Sequence, residues 1–124
     1  MSKTLAATLH CWDDMPREQV TEKLDRRFIT GEKATVANIF LKDGCVVPQH
    51  VHENEQFSCV QSGTLRFWLG EDGAEMVDVR AGEVLHIPGN LPHKAQAIGD
   101  VSVLDVFIPH RQDWLDKTDD YFRR

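Results

Sequence analysis

Two histidines separated by one residue, His50 and His52, are the first candidates for chemistry in this chain. On a β-strand, alternation would place both imidazoles on the same face, about 7 Å apart along the backbone, where they could bind one metal ion. Three polar residues follow closely, Glu53, Glu55 and Gln56, and each is a candidate for a further ligand. A carboxylate would lower the charge of the metal site and an amide would not, so this ligand governs the chemistry. The alternative interpretation is a pair of surface histidines in a loop.

A second candidate is an aspartate in the middle of the apolar segment 101–109. Period-two alternation places Val103, Asp105 and Phe107 on one face of a strand. A buried carboxylate is costly unless it is paired or lies near a cation. We therefore expect Asp105 to face a metal site, with Arg111 as its candidate partner. The alternative is an aspartate on the exposed face of an edge strand.

These residues lie in a chain of short apolar segments separated by glycine and proline. Breaks at intervals of about eight to twelve residues are typical of an antiparallel sandwich or a small barrel. Residues 13–24 are expected to form a helical or irregular lead-in, and residues 112–122 a short helix or cap. The predicted strands are 26–30, 34–41, 56–61, 64–69, 75–79, 84–87, 94–97 and 101–108.

The composition of the 124 residues favours one folded domain, 1–124, without internal repeats or linkers. A net charge of −6 argues against nucleic-acid binding. No apolar run is long enough for a signal peptide or a membrane span. Three cysteines without a paired spacing suit free thiols in a reducing compartment. We therefore expect a cytoplasmic protein without a nucleic-acid or membrane partner.

The glycine spacing around the histidines resembles the two sequence motifs of the cupin superfamily. Residues 44–63 are similar to the first motif, G-x5-H-x-H-x3-E-x6-G, and residues 82–93 to the second, G-x5-P-x-G-x2-H. The resemblance implies an all-β fold, a small double-stranded β-barrel (jelly roll) with its core at about residues 25–109 and short helical terminal segments. Asn90 replaces the last glycine of the second motif, which is tolerable because asparagine adopts left-handed conformations readily.

The same resemblance implies a divalent metal ion at the mouth of the barrel. The positions that correspond to the family's ligands are His50, His52, residue 56 and His93. Counting along the motif selects Gln56 at the third of these positions and leaves Glu53 and Glu55 as rim charges. Four neutral ligands would leave the full charge of the ion in place, which strengthens Lewis-acid behaviour. Zn, Ni, Mn, Co and Fe all suit such ligands.

The last strand narrows the resemblance. Residues 104–115 and 26–31 are similar to segments of the pectin-degradation cupins, whose metal site also uses glutamine with three histidines. That resemblance implies an enzyme that converts cyclic 4,5-unsaturated monouronates, from pectin or alginate, to linear 4-deoxy-5-keto uronates. For that reaction we hypothesise that Asp105 moves the proton, that Arg111 holds the carboxylate of this anionic sugar acid, and that Phe107 packs on the sugar ring. His110 stands where the family often has proline, which leaves room for a shifted substrate.

Other functions stay open at this point. An Fe-dependent dioxygenase is disfavoured by the absent glutamate ligand, and a non-catalytic sugar-acid-binding cupin would be favoured if Asp105 pointed outward. Small cupins commonly pair their edge strands, so a homodimer is expected. Either Arg26 or Arg27 is expected to point inward, as a second carboxylate anchor or in an outer ion pair. His86 is expected to line the pocket or to lie in its wall.

Overall fold

The fold is built almost entirely from antiparallel strands in the computed structural model, which describes residues 5–123. The helical elements are two 3₁₀ helices, Trp12–Asp14 and Asp120–Arg123, and one short α-helix, α1, Gln112–Asp116. The strands are β1 Glu18–Thr21, β2 Leu24–Thr30, β3 Thr35–Leu41, β4 Val46–His50, β5 Glu55–Leu69, β6 Glu75–Arg80, β7 Val84–Ile87 and β8 His93–Ile108.

Two long strands, β5 and β8, turn the sheet into a barrel. The sheet order is β1-β2-β3-β8-β5-β6, and β4 and β7 add to β8 and β5 away from this path. The end of β8 pairs with β3 and with the start of β5, whereas the start of β8 pairs with β4 and with the end of β5. Each long strand therefore belongs to both halves of the molecule. The predicted all-β barrel with short helical ends is confirmed.

The predicted breaks inside the long strands are wrong. The Ser62–Gly63 pair lies within β5, where the pairing with β8 shifts register and bends the strand without ending it. Gly63 is required there, because a Cβ atom on it would lie 2.2 Å from the carbonyl oxygen of Asp100. The Gly99–Asp100 pair likewise lies within β8. Glycine marks a bulge at the first site, and a bulge looks like a turn in the sequence.

The predicted lead-in over residues 13–24 is also wrong in its second half, because residues 18–21 form β1. Val20 and Leu24 are buried and anchor this hairpin to the barrel core. Apolar residues fill the barrel beneath the histidines, among them Ile39, Leu65 and Val103. All three cysteines are free thiols. Among the described helices, none is long and apolar enough to cross a membrane.

Candidate functional site

Three histidines from different parts of the chain converge at one end of the barrel. His50 ends β4, His93 begins β8 and is its register partner, and His52 lies in the bend that follows β4. Their nearest ligand atoms all lie within 4.8 Å of one another. The strand stops at His50, so strand alternation is not what positions His52. A backbone hydrogen bond from the amide of Asn90 to the carbonyl of His52, 2.8 Å, ties that bend to the loop before β8 instead.

Each of the three imidazoles is held by a backbone carbonyl at its Nδ1 atom. The acceptors are the carbonyl oxygens of Pro48 for His50 (2.8 Å), Asn54 for His52 (3.0 Å) and Leu91 for His93 (2.8 Å). A carbonyl can only accept a hydrogen bond, so each Nδ1 carries the proton and each Nε2 presents a lone pair. Such fixing of the outer nitrogen is typical of metal-binding histidines.

The three histidines are also neutral at physiological pH. Burial lowers the pKa of His50 to about 3, with a further contribution from the charge of His93. Burial, followed by the charge of Arg111, lowers the pKa of His52 to about 4. Burial lowers the pKa of His93 in the same direction. Metal ions bind the neutral imidazole, so the cluster is prepared for a cation without a loss of protons.

Gln56 lies beside the histidines with its side-chain amide held in one orientation. It is buried on β5, and its Nε2 atom donates to Ser58 Oγ at 2.9 Å. Its Oε1 atom lies 3.1 Å from His52 Nε2. With the proton of His52 on Nδ1, two lone pairs face each other across that distance, which a shared cation would stabilise. Glu53 and Glu55, the other two candidates, are exposed, and Glu55 contacts His86.

These four groups fit a divalent transition metal ion. The Nε2 atom of His93 is buried and has no hydrogen-bond partner among the described residues. An uncompensated buried acceptor is costly, and a metal ion would satisfy it. Three imidazole nitrogens with one amide oxygen suit Zn, Ni, Co, Mn or Fe.

Asp105 lines the same cavity as His50 and His93. The alternation predicted for this strand is confirmed, because Val103, Asp105 and Phe107 are all buried. The edge-strand alternative is wrong, since β8 lies between β3 and β5. The Oδ1 atom of Asp105 is buried without a hydrogen-bond partner in the described part of the chain. Burial raises the pKa of Asp105 to about 7, while a hydrogen bond from Ser58 and the charge of Arg111 act in the opposite direction.

Arg111 lines the cavity, but the expected ion pair between Arg111 and Asp105 is not formed; Arg111 pairs with Asp113 instead. Its Nε and Nη2 atoms donate to Asp113 at 2.9 and 2.7 Å, and Nη2 also donates to Tyr121 Oη at 2.8 Å. Asp113 is only two residues away, at the start of α1, so it reaches the guanidinium group without crossing the cavity. Arg111 acts on Asp105 through its charge.

Aromatic rings form the wall of the cavity between the histidines and α1. Phe107 packs edge-on against His52, with ring centroids 5.8 Å apart, and against Trp114 at 5.1 Å. The side chain of Phe107 is almost fully buried. It lines the cavity and also contacts the ring of His52, so it can support that histidine.

The two arginines and the histidine of undecided role lie outside the cavity lining. Arg26 points inward, where it pairs with Glu18 (3.0 Å) and with Asp119 (2.7 Å). Arg27 lies on the outer side and donates to the backbone carbonyl of Trp12 and to Asn38. His86 is exposed and contacts Glu55 at 3.1 Å. Arg26, the inward-pointing arginine considered as a second anchor for the substrate carboxylate, is thus engaged in a buried ion pair with Asp119.

Three residues of the site were not predicted from the sequence. Ser58 shares the inward face of β5 with Gln56, a relationship that period two could have revealed. Asn54 is buried and donates to the carbonyls of Pro109 and His110, which ties the His52 bend to the end of β8. Tyr121 is brought to the cavity by the C-terminal segment, and no local pattern announces it.

Comparison with known proteins supports the barrel fold. The model of the cupin domain family matches residues 39–107. KdgF from a Halomonas species is similar in structure, with a TM-score of 0.81 and 21% identity over 88% of this chain and 99% of that one. An RmlC-like cupin from Shewanella frigidimarina has a TM-score of 0.79 and 21% identity, over 88% of this chain and 96% of that one. A mutant of oxalate decarboxylase from Bacillus subtilis has a TM-score of 0.76 and 23% identity, over 87% of this chain and 31% of that one. No curated protein is significantly similar in sequence.

Proposed function

We propose that this chain, which belongs to the cupin domain family, is a metal-dependent enzyme that opens cyclic 4,5-unsaturated monouronates to linear 4-deoxy-5-keto uronates. The observation that carries the proposal is the position of Asp105. Its buried carboxyl group lines the same cavity as His50, Gln56 and His93. A proton-transfer group beside a metal cluster is what such a ring opening requires.

The proposed reaction begins at the hydroxyl group on C1 of the sugar. Asp105, with a pKa near neutrality, takes the proton from that hydroxyl. As the C1 carbonyl forms, the bond between C1 and the ring oxygen breaks, and its electron pair leaves as an enolate at C5. Protonation at C4 then gives the 5-ketone. The product is an isomer of the substrate, so no further reactant is needed.

Other residues of the cavity bind and orient this substrate. His50, His52, Gln56 and His93 would hold the metal ion, which supplies Lewis acidity toward the developing negative charge. Arg111 places a buried positive charge at the cavity wall, which favours a carboxylate. Two of its nitrogens donate hydrogen bonds to Asp113, which leaves fewer donors for a bidentate contact with the substrate carboxylate.

The proposal is tested by the ultraviolet absorbance of the conjugated double bond in 4,5-unsaturated galacturonate and in its alginate-derived counterpart. We expect rapid loss of absorbance with the metal-loaded protein and the spontaneous rate after chelation. Asp105→Asn should also fall to the spontaneous rate, whereas Asp14→Asn, at an exposed site, should remain active. Full activity in Asp105→Asn would contradict the proposal. A metal-bound native protein without activity would direct the search to oxygen uptake and then to sugar-acid binding alone.

A further inference from the structure

Tyr121 separates two cavities at the mouth of the barrel. The inner cavity is lined by His50, His93, Gln56 and Asp105. The second, which we call the outer hollow, is lined by Gln49, His50, Val51, Glu71, Pro92 and Tyr121. His50 and Tyr121 line both spaces, so these two side chains form the partition between them.

The inner cavity is too small for the proposed substrate while this partition is in place. Its volume is about 40 Å³, room for roughly three water molecules. Pockets that bind small molecules typically measure about 300–1,000 Å³. The outer hollow, at about 360 Å³, has the size that the inner cavity lacks. A sugar acid therefore does not fit beside Asp105 unless the inner cavity widens, and Tyr121 lies between this cavity and the larger hollow.

Tyr121 closes the partition through two contacts that a substrate would have to replace. Its ring stacks on that of His50, with centroids 4.1 Å apart and an interplanar angle of 8°. Its hydroxyl oxygen accepts a hydrogen bond from Arg111 Nη2 at 2.8 Å. The tyrosine thus covers a face of one candidate metal ligand and occupies a donor of the proposed carboxylate anchor.

A buried ion pair fastens the segment that carries Tyr121. Asp119 Oδ2 lies 2.7 Å from Arg26 Nη1, with the two side chains 2% and 1% exposed. Arg26 is itself fixed by Glu18 at 3.0 Å and packs over the ring of Trp114 at 4.2 Å. The segment leaves α1 at Lys117, whose φ of +57° marks a sharp change in chain direction. Residues 118–123, which we call the strap, therefore have a pivot at one end and a latch in the middle.

We propose that Tyr121 is the gate of the inner cavity and that the Arg26–Asp119 pair is its latch. Substrate enters from the outer hollow as the strap swings about Lys117, and the movement of Tyr121 frees both Arg111 Nη2 and the covered face of His50. The inference rests on the proposed function only in taking the inner cavity as the substrate site. The two are tested by separate measurements.

The gate is tested first by the rates at which Co²⁺ enters and leaves the native protein, with a small chelator as the acceptor. A gate changes both rates by the same factor and leaves the equilibrium affinity unaltered. Tyr121→Ala should accelerate both by roughly tenfold or more, as expected if the open state is about 0.1–10% populated. Tyr121→Phe keeps the ring over His50 but loses the hydrogen bond from Arg111, so its rates should lie between those of the native chain and those of Tyr121→Ala. A weaker affinity with an unchanged entry rate would show that Tyr121 only supports His50, and would overturn the gate.

The latch is tested in the metal-free protein by tryptic cleavage after Lys117, an exposed residue. Cleavage of a folded chain requires local opening, so its rate follows the population of the open strap. Asp119→Asn should raise the rate after Lys117 at least about fivefold relative to cleavage within the barrel at Lys94. Asp14→Asn, at an exposed position of the first 3₁₀ helix, should not. Equal rates in the native chain and Asp119→Asn would overturn the latch, and this result holds whether or not uronates are opened.

Discussion

Ser58 and Asp105 lie directly opposite each other on β5 and β8, and the hydroxyl of Ser58 hydrogen-bonds the carboxyl of Asp105. The same hydroxyl oxygen accepts from the side-chain amide of Gln56 at 2.9 Å. A short chain of hydrogen bonds thus joins a candidate metal ligand to the candidate base. Changes at any of the three residues should therefore be felt at the other two.

Ser58→Ala should move the pH dependence of uronate opening upward. The Ser58 hydrogen bond lowers the pKa of Asp105, so its removal raises that pKa. Since the ionised carboxylate is the active form, activity at pH 6 should fall while activity at pH 9 is largely kept. The measurement is the rate of absorbance loss across this range, with Ser62→Ala, an exposed position on the same strand, as control. An unchanged profile would contradict the role of Ser58.

Asp105→Asn should make the metal-free protein more stable relative to the native chain as pH rises. The folded-state pKa of Asp105, about 7, is raised above its usual value of 3.8. The stability contributed by the protonated form is fully present below the unfolded pKa and is lost as pH rises through about 7. Asparagine does not titrate, so the variant escapes this loss. Urea unfolding at pH 5 and pH 8.5 measures the difference in the free energy of unfolding between the variant and the native chain. An equal difference at both pH values would contradict the raised pKa of Asp105.

Metal affinity should stay nearly constant from pH 8 down to about pH 5. An ordinary histidine site weakens below about pH 6.5, because protons compete for the imidazoles. Here the pKa values of His50 and His52 are lowered to about 3 and about 4, so that competition begins later. Calorimetric titration with Co²⁺ at several pH values provides the test. A steep fall in affinity between pH 7 and pH 6 in Asp105→Asn, where the neighbouring carboxylate no longer titrates, would show that the histidines are not protected from protonation.

Gln56→Glu should bind metal at least as tightly as the native chain and lose activity by roughly tenfold or more. The added carboxylate reduces the net charge of the site and, as a neighbouring negative charge, disfavours ionisation of Asp105. The matched control is Gln61→Glu, on the same strand at an exposed position. Binding and absorbance assays on the two variants separate affinity from turnover. Native turnover in Gln56→Glu would remove the reason for a neutral ligand.

Two neighbouring positions of the loop before β8 should differ in their sensitivity to substitution. A Cβ atom on Gly89 would lie 2.3 Å from the carbonyl oxygen of Glu53, so Gly89→Ala should lower the free energy of unfolding by about 1–3 kcal/mol. Asn90 already has a φ of +67°, so Asn90→Gly should change it by no more than about 1 kcal/mol. Urea denaturation of both variants gives the comparison. Equal effects would mean that the loop can move away from Glu53.

The barrel and the group of three histidines could be predicted from the sequence, whereas the shape of the cavity could not. Period two and the anomaly of a charge in an apolar strand were enough to turn Asp105 inward, because those signals are local. The continuity of β5 was hidden, since a bulge at Gly63 has the same residue signature as a turn. The partner of Arg111 and the position of Tyr121 depend on how the C-terminal segment docks against the barrel. That docking is a tertiary property with no periodic trace.

The buried amide of Gln56 places this protein one nucleotide away from a different chemistry. Codons for glutamine and glutamate differ only in their first base, so a single C-to-G change would put a carboxylate beside His52. The pocket would need little rearrangement, because the two side chains have nearly the same shape. Two carboxylates would then compete for the one hydroxyl proton of Ser58, and the hydrogen bond from Ser58 to Asp105 would be weakened. Mutation can therefore reach both forms of the site easily, and the substrate available to the cell would decide which one is retained.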